Sequence, residues 1–550
     1  MKKILETIII KACNKAYETG ALPSPINTQP VIEIPRQESH GDFSTNIAMV
    51  SASIQKMAPA KIANILVDHM EDSETIIEKS QIAGPGFINF HLTPDVWFDK
   101  LKAIHAQKEQ YGSSNLGKKK SIQVEFVSAN PTGPLHIGHG RCAAVGDSIG
   151  NILAFCGYDV QKEYYINDSG RQIQTLGRSV FLRYCELLGQ TVDYPKDCYQ
   201  GDYIRELARE EINEKADTLL NMKIDDAISV CAKKAANRIL EGIETDLKAF
   251  RVSFHNWFSE QSLYDSGKIV DTFKWAREND FAYDKDGATW FRTKGWGDEK
   301  DRVILKKDGQ KTYFASDIAY HKDKFDRGFT YLIDVWGADH HGYIERLSAA
   351  IESFGKKREQ FSVVLVQLVN LMRNGQPVAM STRAGEFVTL KDVVDEVGAD
   401  ASRFSFLMRH HDSPLDFDLE IAKKKTNDNP VYYVQYVHAR ISSIIKKSQM
   451  ENIESCKSLS SLNNSHEIRL IKSLAEFPEV VEASAQRLEP HRIAYYLTQL
   501  AALFHNYYNN NRVLSDDEIV THARLYLVNA VQIVIRNGLS LLGVTAPESM

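Results

Sequence analysis

Apolar positions change period several times along the chain, and the changes mark its elements. Residues 122–128, IQVEFVS, are β-branched and aromatic and predict a strand. A loop with two prolines and a glycine follows, Asn130-Pro131-Thr132-Gly133-Pro134. Beyond it Val145, Ile149, Ile152 and Cys156 recur at spacings of 4, 3 and 4, one face of a helix that Gly157 ends. QKEYYI (161–166) is the next strand. Strand, loop, helix and strand in that order make half of a parallel sheet. YLIDVW (331–336) opens a second half. Ile344, Leu347, Ile351 and Phe354 place a helix after it, and VVLVQLVNL (363–371) reads as one further buried strand.

The flanking segments differ in kind. Residues 1 to about 115 mix a first helix, the stretch VIEIPRQESHGDFSTNIAMVSASI and the strand-like GFINFHL, an α/β unit. Gly117-Lys118-Lys119-Lys120 reads as a solvated linker. Residues from about 170 to 300 are charged and predict helix, with no strand alternation of note, as an insertion in the sheet unit. After about residue 400 strands disappear. Ile493, Leu497, Leu500 and Phe504 keep helical spacing, and Leu525, Val528 and Ile535 lie near one face of a last helix, a helical bundle. The expected division is 1–115 (α/β), 116–400 (parallel sheet, insertion about 175–300) and 401–550 (all-α).

Composition narrows the classes. The chain has 550 residues, 43% hydrophobic and 25% charged, enough for several globular cores. The formal net charge of −6 gives no global positive field, so any nucleic acid must be met by local basic surface. Seven scattered cysteines form no C-x-x-C pair, which argues against a structural zinc site and a disulfide framework and for a reducing, cytoplasmic setting. The opening MKKILETIIIKACNK is interrupted by Glu6 and Lys11 and reads as an amphipathic helix rather than a leader. No apolar stretch reaches 18 residues, so no membrane span is expected.

Four features carry candidate chemistry. The first is the run Asn130-Pro131-Thr132-Gly133-Pro134-Leu135-His136-Ile137-Gly138-His139-Gly140, in which two imidazoles flank a glycine at a helix start. Unpaired N–H groups and a partial positive charge there suit phosphate. Gly138 permits close approach, and the imidazoles can donate to phosphoryl oxygens. The second is Met380-Ser381-Thr382-Arg383-Ala384-Gly385, a small loop with a cation able to close over a polyphosphate; a plain surface loop competes. The third is Trp336-Gly337-Ala338-Asp339-His340-His341 at a strand's carboxyl end, where ligands of open sheets sit; a helix cap competes. The fourth is a pair of carboxylates read at strand edges, Glu125 and Asp317, suited to a guanidinium if geometrically fixed. No cluster with metal-ligand spacing is visible, so no metal site is assigned.

In this order the pieces resemble class I aminoacyl-tRNA synthetases, which combine a His-x-Gly-His motif in the first sheet half with a Lys-Met-Ser-Lys-Ser loop after the second. EFVSANPTGPLHIGHGR (125–141), YYINDSGRQI (164–173), KTYFASDIAYH (311–321), VWGADHHGY (335–343) and LLGVTAPESM (541–550) are similar to bacterial arginyl-tRNA synthetases. The resemblance runs from HGDFSTNIAM (40–49) to the end of the chain. It implies a Rossmann-like parallel-sheet catalytic domain with a helical insertion, an N-terminal α/β domain touching the tRNA elbow, and an anticodon-binding helical bundle. It implies ligation of L-arginine to tRNA(Arg) through an arginyl-adenylate, with ATP and Mg2+, and with tRNA needed for the first step.

By the same resemblance His136 and His139 would be catalytic, with Pro134, Gly138, Gly337, Asp339, His340, Met380 and Ser381 around ATP. Glu125, Asn130, His136, Tyr313 and Asp317 would hold arginine. Asn89, Tyr432, Tyr433, Gln435 and Arg440 would meet tRNA. The loop departs from the class pattern: Ala379-Met380-Ser381-Thr382 lacks both lysines, leaving Arg383, with Lys306 or Lys307, to supply the charge. That loss motivates one competing reading, a degenerate tRNA-binding copy. A synthetase for another amino acid is a second, opposed by the acidic pair. A nicotinamide oxidoreductase is a third, set aside because no G-x-G-x-x-G turn follows the first strand. With no coiled-coil heptads and a mostly monomeric family, a monomer is expected, with no DNA or membrane partner.

Overall fold

A computed structural model describes the chain except residues 36, 71–74, 379–387, 451–452, 454–455 and 457. It forms two compact units, residues 1–106 with 463–475, and residues 107–462 with 476–550.

In the first unit Ile32–Glu33, Phe43–Thr45, Phe87–Leu92 and Ile77–Ala83 build an antiparallel sheet in that spatial order. Helix Lys2–Glu18 buries Leu5, Ile9, Ala12, Cys13 and Ala16, an i, i+4 stripe, as its amphipathic pattern requires. Asn89 lies mid-strand, 3% exposed.

The second unit is organised by five parallel strands. These are β1 (Ser121–Phe126), β2 (Asp159–Ile166), β3 (Asn256–Ser259), β4 (Tyr331–Gly337) and β5 (Phe361–Val366). Their spatial order is 3-2-1-4-5. Strand order reverses between β1 and β4, and ligands of such sheets bind beyond the carboxyl ends of the strands at that switch point. Helix α1 (Ile137–Phe155) follows β1 and is buried along most of its length. It lies so close to the sheet that a Cβ on Gly146 would sit 2.3 Å from Phe126. Lys162 on β2 bonds Asp147 and Asn151 of α1, at 2.5 and 2.7 Å.

Three details differ from the sequence reading. The region from about 170 to 300 does hold long helices, Arg171–Leu187, Asp202–Lys215 and Ile224–Ala249. It also supplies β3 and two strands of a small antiparallel sheet, Ala282–Lys285 and Ala288–Phe291, joined by Arg302–Leu305. These strands are four residues each, too short for an alternation to stand out. Residues 363–371 are two strands rather than one: β5 ends at Val366, and Val369–Arg373 starts a separate sheet with Gln376–Pro377 and Leu415–Asp418. Leu368, 75% exposed, marks the break. Leu415–Asp418 is thus a strand beyond residue 400. Pro430–Ser448, Ser465–Arg487, His491–Asn510 and Glu518–Leu541 are the long helices that follow.

Candidate active site

The site starts where β1 ends. Val127 and Ser128 adopt φ of +69° and +43°, a region that costs an ordinary residue about 1–3 kcal/mol. The chain thereby turns sharply out of the sheet. Neighbouring bonds hold the turn. Ser128 Oγ donates to Glu125 Oε1 at 2.9 Å and accepts from the Tyr165 amide at 3.1 Å, while the Tyr164 hydroxyl donates to the Ala129 carbonyl at 2.8 Å. Two residues of the insertion then brace the loop: the Tyr203 hydroxyl donates to Thr132 O at 2.7 Å, and Asn130 Nδ2 donates to Gln172 Oε1 at 2.6 Å.

His136 is the N-cap of α1. Its Nδ1 accepts from the Gly138 amide at 3.1 Å, and His139 Nδ1 accepts from the His136 amide at 3.3 Å. A backbone N–H can only donate, so both Nδ1 atoms are unprotonated and each neutral ring carries its proton on Nε2. The rings stack 3.7 Å apart. Burial lowers both imidazoles, and with His136 beside it His139 is drawn down to about 3. Two neutral N–H donors at a helix N-terminus suit a phosphoryl group gaining negative charge.

A second group of side chains lies around helix α2 (Tyr313–Asp326). Asp317 is on this helix rather than at a strand edge, and it accepts from the Tyr343 hydroxyl. Burial pushes Asp317 up to about 6, against the pull of that hydrogen bond, and the acids Glu260 and Glu125 add to the rise. Glu260, 3% exposed, is itself raised, chiefly by burial. Tyr165 is raised by burial with Glu260, Asp317 and Glu125 close by, so these groups form one acidic neighbourhood. Tyr313, read from sequence as part of that pocket, stands 64% exposed on the first turn of α2.

Beneath the pocket Glu125 is engaged. Its Oε2 accepts from Lys324 Nζ at 2.5 Å, and Lys324 also reaches Asp334 Oδ1 at 3.0 Å. Burial opposes the Lys324 charge, but Asp334 and Glu125 outweigh it and hold the ammonium above the ordinary lysine value. Burial likewise opposes charge on Asp334, yet Lys324 and His321 draw it down to about 2. Glu125 is raised, mainly by burial. One ammonium serves two carboxylates, and Asp334, bonded to His321 Nε2 at 2.9 Å as well, keeps its charge more firmly.

After β4, Gly337 caps a short 3-10 turn, Ala338–Tyr343, on which Asp339 and His340 are exposed. Asp339 is near enough to α1 to raise the Cys142 thiol, after the larger effect of burial. Met380, Ser381 and Arg383 lie outside the described residues. The segment after them is fixed on the histidine motif: Thr389 bridges His136, and the Leu390 amide donates to Leu135 O at 2.7 Å. Leu390 packs on Gly140, where a Cβ would meet it at 2.7 Å. Lys306 and Lys307 are exposed in the turn that follows Arg302–Leu305.

On helix α3 (Pro430–Ser448), Tyr432 and Tyr436 stack at 6.0 Å, Tyr433 lies 4.5 Å from His505, and the Arg440 guanidinium sits over the rings of Tyr436 and Tyr508. Gln435 differs: it is buried, its amide donating to Asp400 at 2.9 Å and Thr545 O at 2.8 Å. Sequence reasoning passed over Tyr343, Glu260, Gln172, Tyr203, Tyr436, His505 and Tyr508. Tyr343 and Gln172 lie inside the similar blocks, but their partners are distant in sequence.

A switch-point pocket with a His-x-Gly-His helix start defines a class I aminoacyl-tRNA synthetase. The model of the class I (R) tRNA synthetase catalytic domain matches residues 100–413, the arginyl-tRNA synthetase N-terminal domain residues 3–92, and the DALR anticodon-binding domain residues 434–550. The arginine–tRNA ligase of Desulfosudis oleivorans is 57% identical over 556 residues, and that of Syntrophotalea carbinolica 50% over 554, both across the whole of each chain. The arginyl-tRNA synthetase structure of Thermus thermophilus superposes with a TM-score of 0.76 over all of both chains, at 22% identity, a likeness of fold. The chain belongs to the arginyl-tRNA synthetase family.

Proposed function

We propose that this enzyme forms arginyl-adenylate beyond the carboxyl ends of β1 and β4, with the neutral His136–His139 pair facing ATP and the Asp317 pocket facing the arginine guanidinium. Arginine is ligated to tRNA at the expense of ATP. An oxygen of the arginine carboxylate attacks the α-phosphorus. The bond from that phosphorus to the bridging oxygen of the β-phosphate breaks, and pyrophosphate leaves. A hydroxyl of the terminal tRNA ribose then attacks the arginyl carbonyl, and AMP departs.

The observation that carries this reading is the acidic pocket. A carboxylate accepting from Tyr343, with Glu260 and Glu125 nearby, favours a cation, because a bound guanidinium offsets the burial that disfavours these charges. Asp317 is assigned the direct contact. Glu125, tied to Lys324, lines the pocket wall and adds negative field. Tyr343 orients Asp317. Asn130, held toward Gln172, is assigned the arginine backbone. Tyr313, exposed on the first turn of α2, is assigned the pocket rim.

The stacked imidazoles donate from Nε2 to the α-phosphoryl oxygens as charge builds there. Gly138, Pro134 and the amides of the first turn of α1 admit the phosphates. Gly337, Asp339 and His340 are assigned to the ribose side, with Met380 and Ser381 on the closing loop. Arg383 is assigned the charge on departing pyrophosphate. Magnesium would be carried by the ATP phosphates and water, with Asp339 as an exposed carboxylate on the turn after β4. When bound it offsets phosphate charge.

The rest is divided by segment. Residues 1–115 meet the tRNA elbow, 116–400 hold the reaction, and 401–550 meet the anticodon. Tyr432, Tyr433 and Arg440, joined by Tyr436 and Tyr508, form an aromatic and cationic surface suited to stacking bases. Gln435 and Asn89, both buried, support those surfaces from beneath. No helix among the described residues is long and apolar enough to cross a membrane. We assign a cytoplasmic monomer.

Aminoacylation assayed with arginine and lysine tests the reading. Asp317→Asn lowers kcat/KM for arginine by about 30-fold or more, the loss expected when a buried charge partner is removed. An unchanged ratio places the guanidinium elsewhere.

A further inference from the structure

The loop after helix Ala399–Leu407 and the turn between the two helices Ser465–Arg487 and His491–Asn510 bring together His410, Glu489 and His491. One ligand atom from each lies within 4.8 Å of the others. The His410 and His491 rings meet edge-on at 4.8 Å. The three are far apart in sequence, 79 residues separating His410 from Glu489, so no spacing reveals them.

Three features go beyond proximity. His410 has a carboxylate at each ring nitrogen: Nδ1 faces Asp412 Oδ1 at 2.5 Å, with the Asp412 amide farther off at 3.3 Å, and Nε2 faces Glu489 Oε1 at 3.2 Å. A neutral imidazole has one N–H, so one of the two contacts sets lone pair against lone pair unless a proton or a metal ion lies between. Next, His491 Nδ1 is buried and has no hydrogen-bond partner among the described residues. Such an atom is costly unless something else completes it. Finally, the carboxylate is held in place. Its other oxygen accepts from Arg492 Nε, and the Glu489 backbone is tied to Ser484 in both directions, at 3.0 and 2.7 Å.

The geometry points to a divalent transition-metal site formed by His410 Nε2, Glu489 Oε1 and His491 Nδ1. Two imidazoles and one carboxylate suit Zn2+ and its neighbours rather than Mg2+ or Ca2+, which take oxygen ligands. Asp412 on Nδ1 of His410 completes a carboxylate–histidine–metal arrangement, fixing the ring so that Nε2 is the ligand. Bonds of about 2.0–2.1 Å to a tetrahedral ion set the ligand atoms roughly 3.3 Å apart, so the widest separation contracts by up to about 1.5 Å on binding. The fourth position is left to water. The His411 ring, tilted at 4.2 Å from His410, has its Nδ1 bonded to Leu365 O, and the Arg492 cation tempers the affinity.

The consequence lies in what the loop touches. The His410 and Ser413 carbonyls accept from the buried Arg141 guanidinium, at 3.0 and 2.8 Å, and Arg141 stands one turn beyond Gly138 and His139 on α1. The ion therefore clamps the turn of the helical region to the loop that braces the active-site helix.

The test uses the full-length enzyme stripped with a chelator and titrated with Co2+ as a coloured probe, then with Zn2+ in competition. The wild type takes up one equivalent of Co2+ with a d–d absorption band, and Zn2+ displaces it. His491→Ala abolishes that band, and Asp412→Asn weakens binding by about tenfold or more. Zn2+ raises the unfolding temperature of the wild type and not of His491→Ala or Glu489→Gln, so a variant that folds less well is still compared with itself. Equal Co2+ stoichiometry and affinity in wild type and His491→Ala, or no stoichiometric band in the wild type, overturns the proposal.

Discussion

The Tyr343 hydroxyl, from the turn after β4, donates to the Asp317 carboxylate on α2. The contact joins the elements on either side of β4 and tunes the acid assigned to the arginine guanidinium. Asp317, raised to about 6, loses its charge as pH falls through that value. The KM for arginine in arginine-dependent exchange is therefore flat above about pH 7 and rises as pH drops below about 6. Tyr343→Phe removes the donor that pulls Asp317 down, so the break moves to higher pH. It also raises KM about tenfold or more, the worth of a hydrogen bond to a charged group. A KM unaffected by pH between 5 and 8 would separate Asp317 from the substrate.

In the proposed reaction the histidine pair acts on rate rather than on arginine binding. His139→Asn is expected to lower kcat about 100-fold while leaving the arginine KM within a few-fold, as for loss of one donor to a developing oxyanion. His139, drawn down to about 3, stays neutral through the working range, so kcat shows no limb from its titration between pH 6 and 9. Stopped-flow adenylate formation measures both effects. A variant with intact kcat and a raised arginine KM would reverse the assignment.

Arg383 is the cation left in a loop that lacks both lysines of the class pattern. Arg383→Ala slows adenylate formation by about 100-fold and changes the arginine KM little, since a cation on the departing phosphate is felt mainly in the transition state. Activity equal to wild type assigns the charge elsewhere, with Lys306 and Lys307 the next residues to replace.

Lys324 supports the site through stability. It is fully buried between Glu125 and Asp334, and Lys324→Met leaves both carboxylates without their shared cation. The expected loss is about 3–5 kcal/mol, read from the urea midpoint of the unit that carries the sheet. Asp334, depressed to about 2, contributes stability that is present above its unfolded value near 4 and is lost as pH falls toward 2. An unshifted midpoint at neutral pH would show that the pair is solvated in solution.

The sheet was legible where its strands are six to eight residues long and bury β-branched or aromatic side chains. Residues 122–128, 161–166 and 331–336 each predict a strand that the fold contains, and β1, β2 and β4 are the strands that carry the site. β3 was not legible: Asn256–Ser259 is four residues long and is recruited by pairing with β2, a tertiary effect with no local pattern. The four-residue strands between 282 and 305 escaped for the same reason. The histidine motif announced itself by its residues, but the neutrality of both rings depends on which backbone amides reach Nδ1. The pocket was half legible. Asp317 could be named, whereas Tyr343 and Glu260 reach it only through folding, and the commitment of Glu125 to Lys324 rests on a residue 199 positions away.

The most direct test of the account is pyrophosphate–ATP exchange, run with each of arginine, lysine and glutamine, with and without tRNA. The account predicts exchange with arginine alone, dependent on tRNA, and reduced in both His139→Asn and Asp317→Asn. Exchange supported by lysine or glutamine as well as by arginine, or none under any condition while tRNA still binds, would contradict it.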